Sequence, residues 1–516
     1  MSSLAGGLNR GQGCLPKPLL GYDRVVGLVL VVLLFLSLIE LGIFTAPLWP
    51  IRRFMGAALA ALQLIWLGWL LIGYFDGFNI VLAVISLYRI FNLMRLYANK
   101  IQAEHLRRSA LKSSYVLMLC QLVFLMARSV SMMLNLKASF FLSFILAGQL
   151  VISGLFYITA KHWLERIKPG EVKNYRDKDL PSISVCLPAR NETEDLKLCL
   201  DSLISSDYPK LEIIVLDDCS QSKRTPDIIR SFASSGVRFI AGQAPPAHWL
   251  AKNYAYQQLA ASASGDILVF CGVDLKLATD SLRLMVETML SQSSLMTSFM
   301  PLNVLTKETT VFKALIQPNR YALELARPGT HRPPVLSTCW LIKSSAVNKY
   351  GGFWAVKNSV APEAYFAEHC AANYRFYRQP RFGLTSHKSF SEQADTAVRT
   401  RYPGLHKQPV LVMIHSLIEL LLVMGPPIIA VAALISSRYV TAAVSLIIFM
   451  LQGGLYSYIV RLTYGRFFIS SLLLLPLAGL TDIFIMNYSM WRYEFSEVLW
   501  KGRNVCLPVM NQPLNG

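Results

Sequence analysis

The chain has 516 residues, 53% of them hydrophobic, and 50 Lys and Arg against 31 Asp and Glu, for a formal net charge of +19. Long apolar runs with a Lys/Arg excess weigh against a soluble enzyme and point to a bilayer bordered by basic cytoplasmic loops. The nine cysteines form no CxxC pair and several lie in strand-like apolar runs, which argues against a disulfide framework or zinc site and predicts reduced, buried thiols in a cytosolic domain.

Residues 1–24 form an N-terminal tail with no small-residue cleavage site close behind a short apolar core, so the first apolar run is expected to stay as an anchor. Spans of roughly 20 residues, the length that crosses about 30 Å of hydrocarbon, are predicted near 25–46, 55–75, 115–135, 138–161, 410–435 and 439–460. Two weaker stretches are 79–97, with Arg89 and Arg95, and 467–487, with Pro476, Gly479 and Asp482; each can lie in the interface or re-enter instead of spanning. Glu40, Arg89 and Asp482 are charges in or near apolar runs, too few to read as a carrier.

The N-terminal block, 25–162, thus holds four or five transmembrane helices. A basic juxtamembrane linker, 163–182, leads into an α/β domain over 183–390. An interfacial segment, 391–409, is followed by transmembrane or re-entrant helices over 410–487 and by a basic tail, 488–516. The loop NKIQAEHLRRSALK and the linker are both Lys/Arg-rich and are separated by a helical pair, which places both, and the α/β domain, on the cytoplasmic side. Three spanning late segments would put Arg492, Lys501 and Arg503 outside, so 467–487 reads as a re-entrant or interfacial helix.

Within the domain, PSISVCLPARNE reads as a buried strand, EDLKLCLDSLISSD has helical spacing, and LEIIVLDDCS is a second strand ending in two acids, together a βαβ unit. VRFIAG is a third strand. A loop with Lys252 at a helix start then leads to the strand ILVFCGVD, which ends in Asp274. Ligands in such sheets bind at the carboxyl ends of strands, and here those ends carry Glu192, Asp217, Asp218 and Asp274. Carboxylates, a divalent cation and a lysine are what a nucleotide diphosphate requires, because its phosphates must be neutralised before they leave.

These stretches, with HWLAKNYA, GGFWAVKNSVAPEAYFA and the late WKGR, resemble the family 2 glycosyltransferases of GT-A fold. The nearest likeness is to the polytopic, lipid-modifying branch that includes ceramide glucosyltransferase-like, hopanoid-associated and carotenoid glycosyltransferases. The resemblance implies a fold class of α/β GT-A (Rossmann-like), with the cytosolic catalytic domain inserted between two α-helical transmembrane blocks. It implies nucleotide binding at Pro188, Asn191, Glu192, Asp217, Asp218, Trp249 and Lys252, a Mg²⁺ or Mn²⁺ ion on Asp274, and Glu363 as the catalytic base. The partners implied are a nucleotide diphosphate sugar, a lipid acceptor and the membrane, with no nucleic acid.

Three departures accompany the likeness. Gly272 stands where the first acid of a DxD motif is expected, Pro362-Glu363 replaces Glu-Asp, and SEQADTAVRTRYPGL offers Gln393, Arg399 and Arg401 without the Arg-Trp of processive synthases. Gly272 and Pro362 keep a catalytically impaired scaffold in envelope assembly as an alternative; a polysaccharide synthase is the other, and the missing Arg-Trp argues against long-chain synthesis.

Overall fold

The computed structural model describes residues 35–45, 47–72, 77–97, 103–133, 138–166, 168, 170–305, 310–316, 334–378, 380–466 and 469–510. The N-terminal tail and most of the expected first span, 25–46, lie outside them. The chain divides into two compact units, Met1–Leu96 with Ala110–Leu136, and Tyr97–Ser109 with Lys137–Gly516.

In the first unit α1 (Arg52–Ile72) packs against α2 (Gly77–Arg95). The close approach needs a small residue, since a Cβ on Gly56 would lie 3.1 Å from Leu96 Cδ1. Arg89 and Glu40 form an ion pair with side chains 1% and 2% exposed, so the two charges flagged in apolar sequence neutralise each other. Helix α3 (Ala103–Met133) supplies Ser114, whose hydroxyl accepts from Asn92 Nδ2 at 2.9 Å.

From Lys137 onward the second unit opens with α4 (Ala138–Arg166) and then builds the α/β domain. Strands β1 (Ile183–Ala189), β2 (Leu211–Asp217), β3 (Val237–Ala241) and β4 (Ile267–Cys271) are the four read from the sequence. They form the parallel part of a seven-stranded sheet of order β3-β2-β1-β4-β8-β6-β9, completed by β6 (Met296–Phe299), β8 (Cys339–Lys343) and β9 (Tyr374–Tyr377). The sheet becomes mixed at β8, which runs antiparallel to both β4 and β6. A smaller sheet orders β5 (Leu275–Leu277), β10 (Leu384–Ser386) and β7 (Leu302–Asn303) beside the end of β4.

Strand β4 is buried at every position, as a strand covered on both faces must be. On one face lie α5 (Glu194–Ile204) and α8 (Ser281–Ser291), whose Leu196, Leu200 and Met285 join Val185, Val215 and Val269. On the other lies α7 (Ala251–Ser262); here Tyr256 and Leu259 meet Ile214, Phe270 and Trp340. Between β2 and β3 runs α6 (Arg224–Ser231). After β8, α9 (Pro362–Cys370) adds Phe366 to that second layer.

The later helices are α10 (Phe390–Gly404), α11 (Pro409–Glu419), α12 (Gly425–Ile435), α13 (Tyr439–Tyr464) and α14 (Ser470–Phe495). Leu455, Ile459 and Leu462 of α13 and Ala160 of α4 belong to the same core as Trp340. The domain therefore shares its hydrophobic interior with long apolar helices from both sides of it in sequence. Among the described residues six segments are long and apolar enough to cross a membrane: Trp49–Gly68, Leu106–Met126, Ser143–His162, Pro409–Ile435, Tyr439–Tyr464 and Ser470–Phe495.

The segment 467–487, read as re-entrant or interfacial, falls mostly within α14, a continuous helix of 26 residues with Pro476 inside it. Its Asp482 accepts from Arg401 Nη2 at 2.9 Å and lies 3.3 Å from His415 Nε2, so that charge too is matched. Between α11 and α12 the backbone widens to a π turn over Leu420–Met424, just before Gly425, Pro426 and Pro427. Prolines at the start of the next turn cannot donate to the preceding carbonyls, and a π turn absorbs the mismatch.

Candidate active site

The parallel strands β1, β2 and β4 end on one edge of the sheet, and every acid named from the strand ends lies there. At β1 the chain turns sharply: Asn191 has φ of 50°, its N–H donates to Ser220 Oγ at 2.9 Å and its Oδ1 accepts from Gln221 N at 2.8 Å. Pro188 is paired with Leu216 one step before the strand end. At β2, Asp217 Oδ1 accepts from Ser220 N at 3.2 Å, and Cys219 has φ of 51°. Left-handed backbone at non-glycine residues costs free energy and collects at functional sites. Gly242 allows β3 to end close by, since a Cβ there would meet Asp217 O at 2.6 Å.

Two of the four acids are engaged by the far end of the chain. Strands β11 (Leu499–Trp500) and β12 (Arg503–Asn504) form a hairpin. From it Arg503 Nη1 donates to both carboxylate oxygens of Asp218 at 2.7 Å, and Lys501 Nζ pairs with Glu192. Arg190 joins the same network by donating to Lys501 O at 3.0 Å and to Asp218 O at 2.7 Å. Burial raises the carboxyls of Asp218 and Glu192 above the ordinary carboxylate range, while Arg503 and Lys501 pull them back.

Asp274 follows β4 by three residues and is held from the small sheet. Ser386 Oγ donates to Asp274 Oδ2 at 2.9 Å and His387 N donates to Asp274 O at 3.1 Å. A Cβ on Gly272 would lie 2.5 Å from Asp274 Oδ1, so the carboxylate occupies space that only glycine leaves at position 272. Asp274, Asn303, Thr338, Ser386, Lys388 and Gln393 line a small cleft, closed on its apolar side by Met300 and Leu336.

Lys252 and Glu363 stand in the first turns of α7 and α9, whose entering segments are tied together. Asn253 Nδ2 donates to Val356 O at 2.7 Å and to Ser359 O at 2.8 Å, and Leu250 N donates to Lys357 O at 2.8 Å. This clamps the start of α7 to the chain entering α9. Trp249 is buried and packs edge-on against Trp354 at 4.8 Å, and His248 before it has φ of 67°. Lys252 Nζ lies 5.2 Å from the centroid of Tyr256, a cation–π contact.

Glu363 is 4% exposed in the first turn of α9, and its Oε2 has no hydrogen-bond partner in the described structure. Burial raises its pKa and the nearby Lys252 opposes the rise; burial lowers that of Lys252, with Glu363 and Asp274 holding it up. A buried carboxyl with a raised pKa beside a cation is suited to accept a proton near neutral pH.

The structure thus brings Glu363 and Asp274 within electrostatic reach of Lys252, and gathers Asn191, Glu192, Asp217 and Asp218 at the neighbouring strand ends. Sequence reasoning did not name Lys501, Arg503, Asn253, Ser386 or Lys388 as site residues. WKGR was the one signal for the first two; the others carry no pattern that marks them.

Residues 184–351 match the family described as Glycosyl transferase family 2. Similar curated proteins include the probable glycosyltransferase YdaM of Bacillus subtilis, 31% identical over 26% of this chain and 33% of its own length. The glycosyltransferase AglE of Haloferax volcanii is 32% identical over 18% of this chain and 31% of its own. The 4,4'-diaponeurosporenoate glycosyltransferase of Staphylococcus haemolyticus is 33% identical over 25% and 32%. The chain therefore spans about a third of the length of each of these relatives.

Among solved structures, a mannosyltransferase from Pyrobaculum calidifontis, in complex with GDP-Man and Mn²⁺, aligns with 66% of this chain and 97% of its own at 18% identity and TM-score 0.41. S. aureus TarS 1–349 aligns with 63% and 95% at 13% identity and TM-score 0.30. The mixed sheet with acids at its parallel strand ends, together with the family match, defines a GT-A glycosyltransferase domain. That domain is of family 2, and apolar helices long enough to cross a membrane precede and follow it.

Proposed function

We propose that the chain is a membrane-embedded, inverting glycosyltransferase that moves one sugar from a nucleotide diphosphate sugar to a lipid acceptor at the cytosolic leaflet. The observation that supports this reading is that Glu363 and Asp274 both act electrostatically on Lys252, in a domain whose core continues into α4 and α13. A site built into apolar helices suits an acceptor held in the bilayer.

In the reaction the acceptor oxygen attacks the anomeric carbon, the bond from that carbon to the diphosphate oxygen breaks, and its electron pair leaves with the diphosphate. Glu363 takes the acceptor's proton as general base, a role worth about 10²–10⁴ in rate. Lys252 faces the diphosphate and stabilises the charge that develops on it. Asn253 and Trp249 position Lys252 by fixing its loop against the chain that carries Glu363.

Asn191, Glu192, Asp217, Asp218 and Pro188 shape the nucleotide end, with Lys501 and Arg503 setting where the carboxylates stand. Asp274 is one carboxylate with one oxygen already accepting from Ser386. A donor set that small fits Mg²⁺ or Mn²⁺ only when substrate phosphates complete the shell. Such an ion would be held by Asp274 and would add positive charge at the diphosphate.

Full-length protein in detergent, given native lipid extract, a panel of nucleotide sugars and Mn²⁺ or Mg²⁺, should release nucleoside diphosphate in a lipid-dependent manner. Release should vanish in Asp274→Asn and Glu363→Gln. Nucleotide binding without release from any donor would instead select an impaired enzyme acting as a sensor or scaffold.

A further inference from the structure

Strand β9 ends at Tyr377, and the next residue sends a charge to the last turn of α13. There Arg378 Nε donates to Leu462 O at 2.7 Å, and Arg461 precedes Leu462 on the same helix. The side chain of Arg378 is half-buried, while Tyr458 and Arg461 beside it are exposed. Beyond the bond to Leu462 O, the side chains of Arg378 and Arg461 form no hydrogen bond or ion pair among the described residues. The pKa of Arg378 is pushed down to about 10 by burial and by the charge of Arg461, against the opposing Tyr458 phenol, and no carboxylate acts on it.

A cation in the last turn of a helix is favoured by the helix dipole, which accounts for Arg461. It does not account for a second arginine fastened beside the first, because like charges oppose each other. A phosphate between them removes the conflict, since guanidinium groups bind phosphate oxygens through paired, parallel hydrogen bonds. The place also suits a lipid. Tyr439–Tyr464 is long and apolar enough to cross a membrane, so its last turn marks the level of the headgroups. The same turn borders the cleft: a Cβ on Gly465 would lie 3.8 Å from Leu302 Cδ2, and Asn303 after it lines the cleft with Asp274. Tyr377 O accepts from Met300 N at 2.9 Å, and Met300 lines the cleft as well.

We propose that Arg378 and Arg461 form a binding site for the phosphate of an anionic membrane lipid, held at the end of α13 beside the cleft. Arg378, fixed by Leu462 O, supplies the directed half of the pair. Arg461 closes on the phosphate from the exposed side of the helix. No covalent bond is made or broken.

The test is microscale thermophoresis of full-length protein in uncharged detergent, at an ionic strength that screens charges more than about 8 Å apart. The probes are dioctanoyl phosphatidate, dioctanoylglycerol and inorganic phosphate. Wild type should bind phosphatidate saturably and the glycerol not at all. Arg461→Gln and Arg378→Gln should each weaken phosphatidate about tenfold, the loss of one charge-assisted pairing. Arg461→Gln leaves no partner unpaired, so it carries the test even where Arg378→Gln, which loses the bond to Leu462 O, fails to fold. Arg466→Gln, which removes a neighbouring exposed cation, should stay within about twofold of wild type.

Phosphatidate binding unchanged in Arg461→Gln overturns the proposal. Equal weakening in Arg466→Gln overturns it too, because the attraction would then be diffuse surface charge. So does inorganic phosphate that binds as tightly as phosphatidate, which would make this a site for a soluble anion, or dioctanoylglycerol that binds as well, which would leave the phosphate no part. The titration reads neither nucleotide nor turnover. A chain that binds phosphatidate through both arginines yet releases no nucleoside diphosphate would keep this site and lose the glycosyl-transfer reading.

Discussion

The contact between the C-terminal hairpin and the strand ends makes a quantitative prediction. Arg503→Met removes two 2.7 Å bonds to the Asp218 carboxylate and a 3.2 Å bond to its carbonyl, leaving a carboxylate that is 3% exposed with its main cation gone. Breaking a buried ion pair from one side costs about 3–5 kcal/mol. Arg503 is 19% exposed and Arg190 stays nearby, which places the expected cost at about 3 kcal/mol. That is roughly a hundredfold increase in opening of the hairpin.

Hydrogen exchange of the peptide covering residues 498–506 reads this opening directly, because Val505 N donates to Val498 O at 2.9 Å and exchanges only when the hairpin lifts. Without Arg503 the folded-state pKa of Asp218 moves further above its unfolded value. Its protonated form is then favoured by folding, so the defect is smallest at low pH and grows as pH rises through that raised value. Asp218→Asn with Arg503→Met should exchange more slowly than Arg503→Met alone, since no buried charge remains. Exchange in the single variant within about twofold of wild type would refute the reasoning.

Glu363→Gln should lower kcat by about 10²–10⁴ yet raise the temperature of irreversible unfolding at neutral pH, because burial holds the native glutamate's pKa above its unfolded value and its ionisation opposes folding as pH rises. For the same reason kcat/KM of the wild type should climb with pH through a value above the ordinary glutamate range, and that limb should be missing from any residual activity of the variant. Gly272→Asp, which restores a second acid, should fold but lose activity: its Cβ falls 2.5 Å from Asp274 Oδ1 and drives the carboxylate off Ser386. Higher turnover in Mn²⁺ would contradict this. Asn253→Leu strips the donor from the carbonyls of Val356, Lys357 and Ser359, at about 2 kcal/mol or more; faster exchange across 356–363 with a matching fall in kcat is the expected signature.

The four strands that make the parallel half of the sheet were legible locally, because each is a short apolar run ending in a turn, and a strand covered on both faces needs that run. Legible by the same logic were Asp217, Asp218 and Asp274 as strand-end acids, and the apolar lengths of five of the six long helices. The roles of β8, β6 and β9 were not, since an antiparallel strand inserted between β4 and β6 leaves no mark in its own periodicity.

What only the tertiary structure decided is who faces whom. Lys501 meets Glu192 across 309 residues, Arg503 meets Asp218 across 285, and Ser386 meets Asp274 across 112. Composition and spacing describe each segment's own preference for helix, strand or turn. A contact between distant segments depends on how the sheet edge, the small sheet and the hairpin close on one another, and no periodicity along the chain encodes that. The sequence alone therefore determined the acids at the edge of the sheet, and the packing determined which cations stand over them.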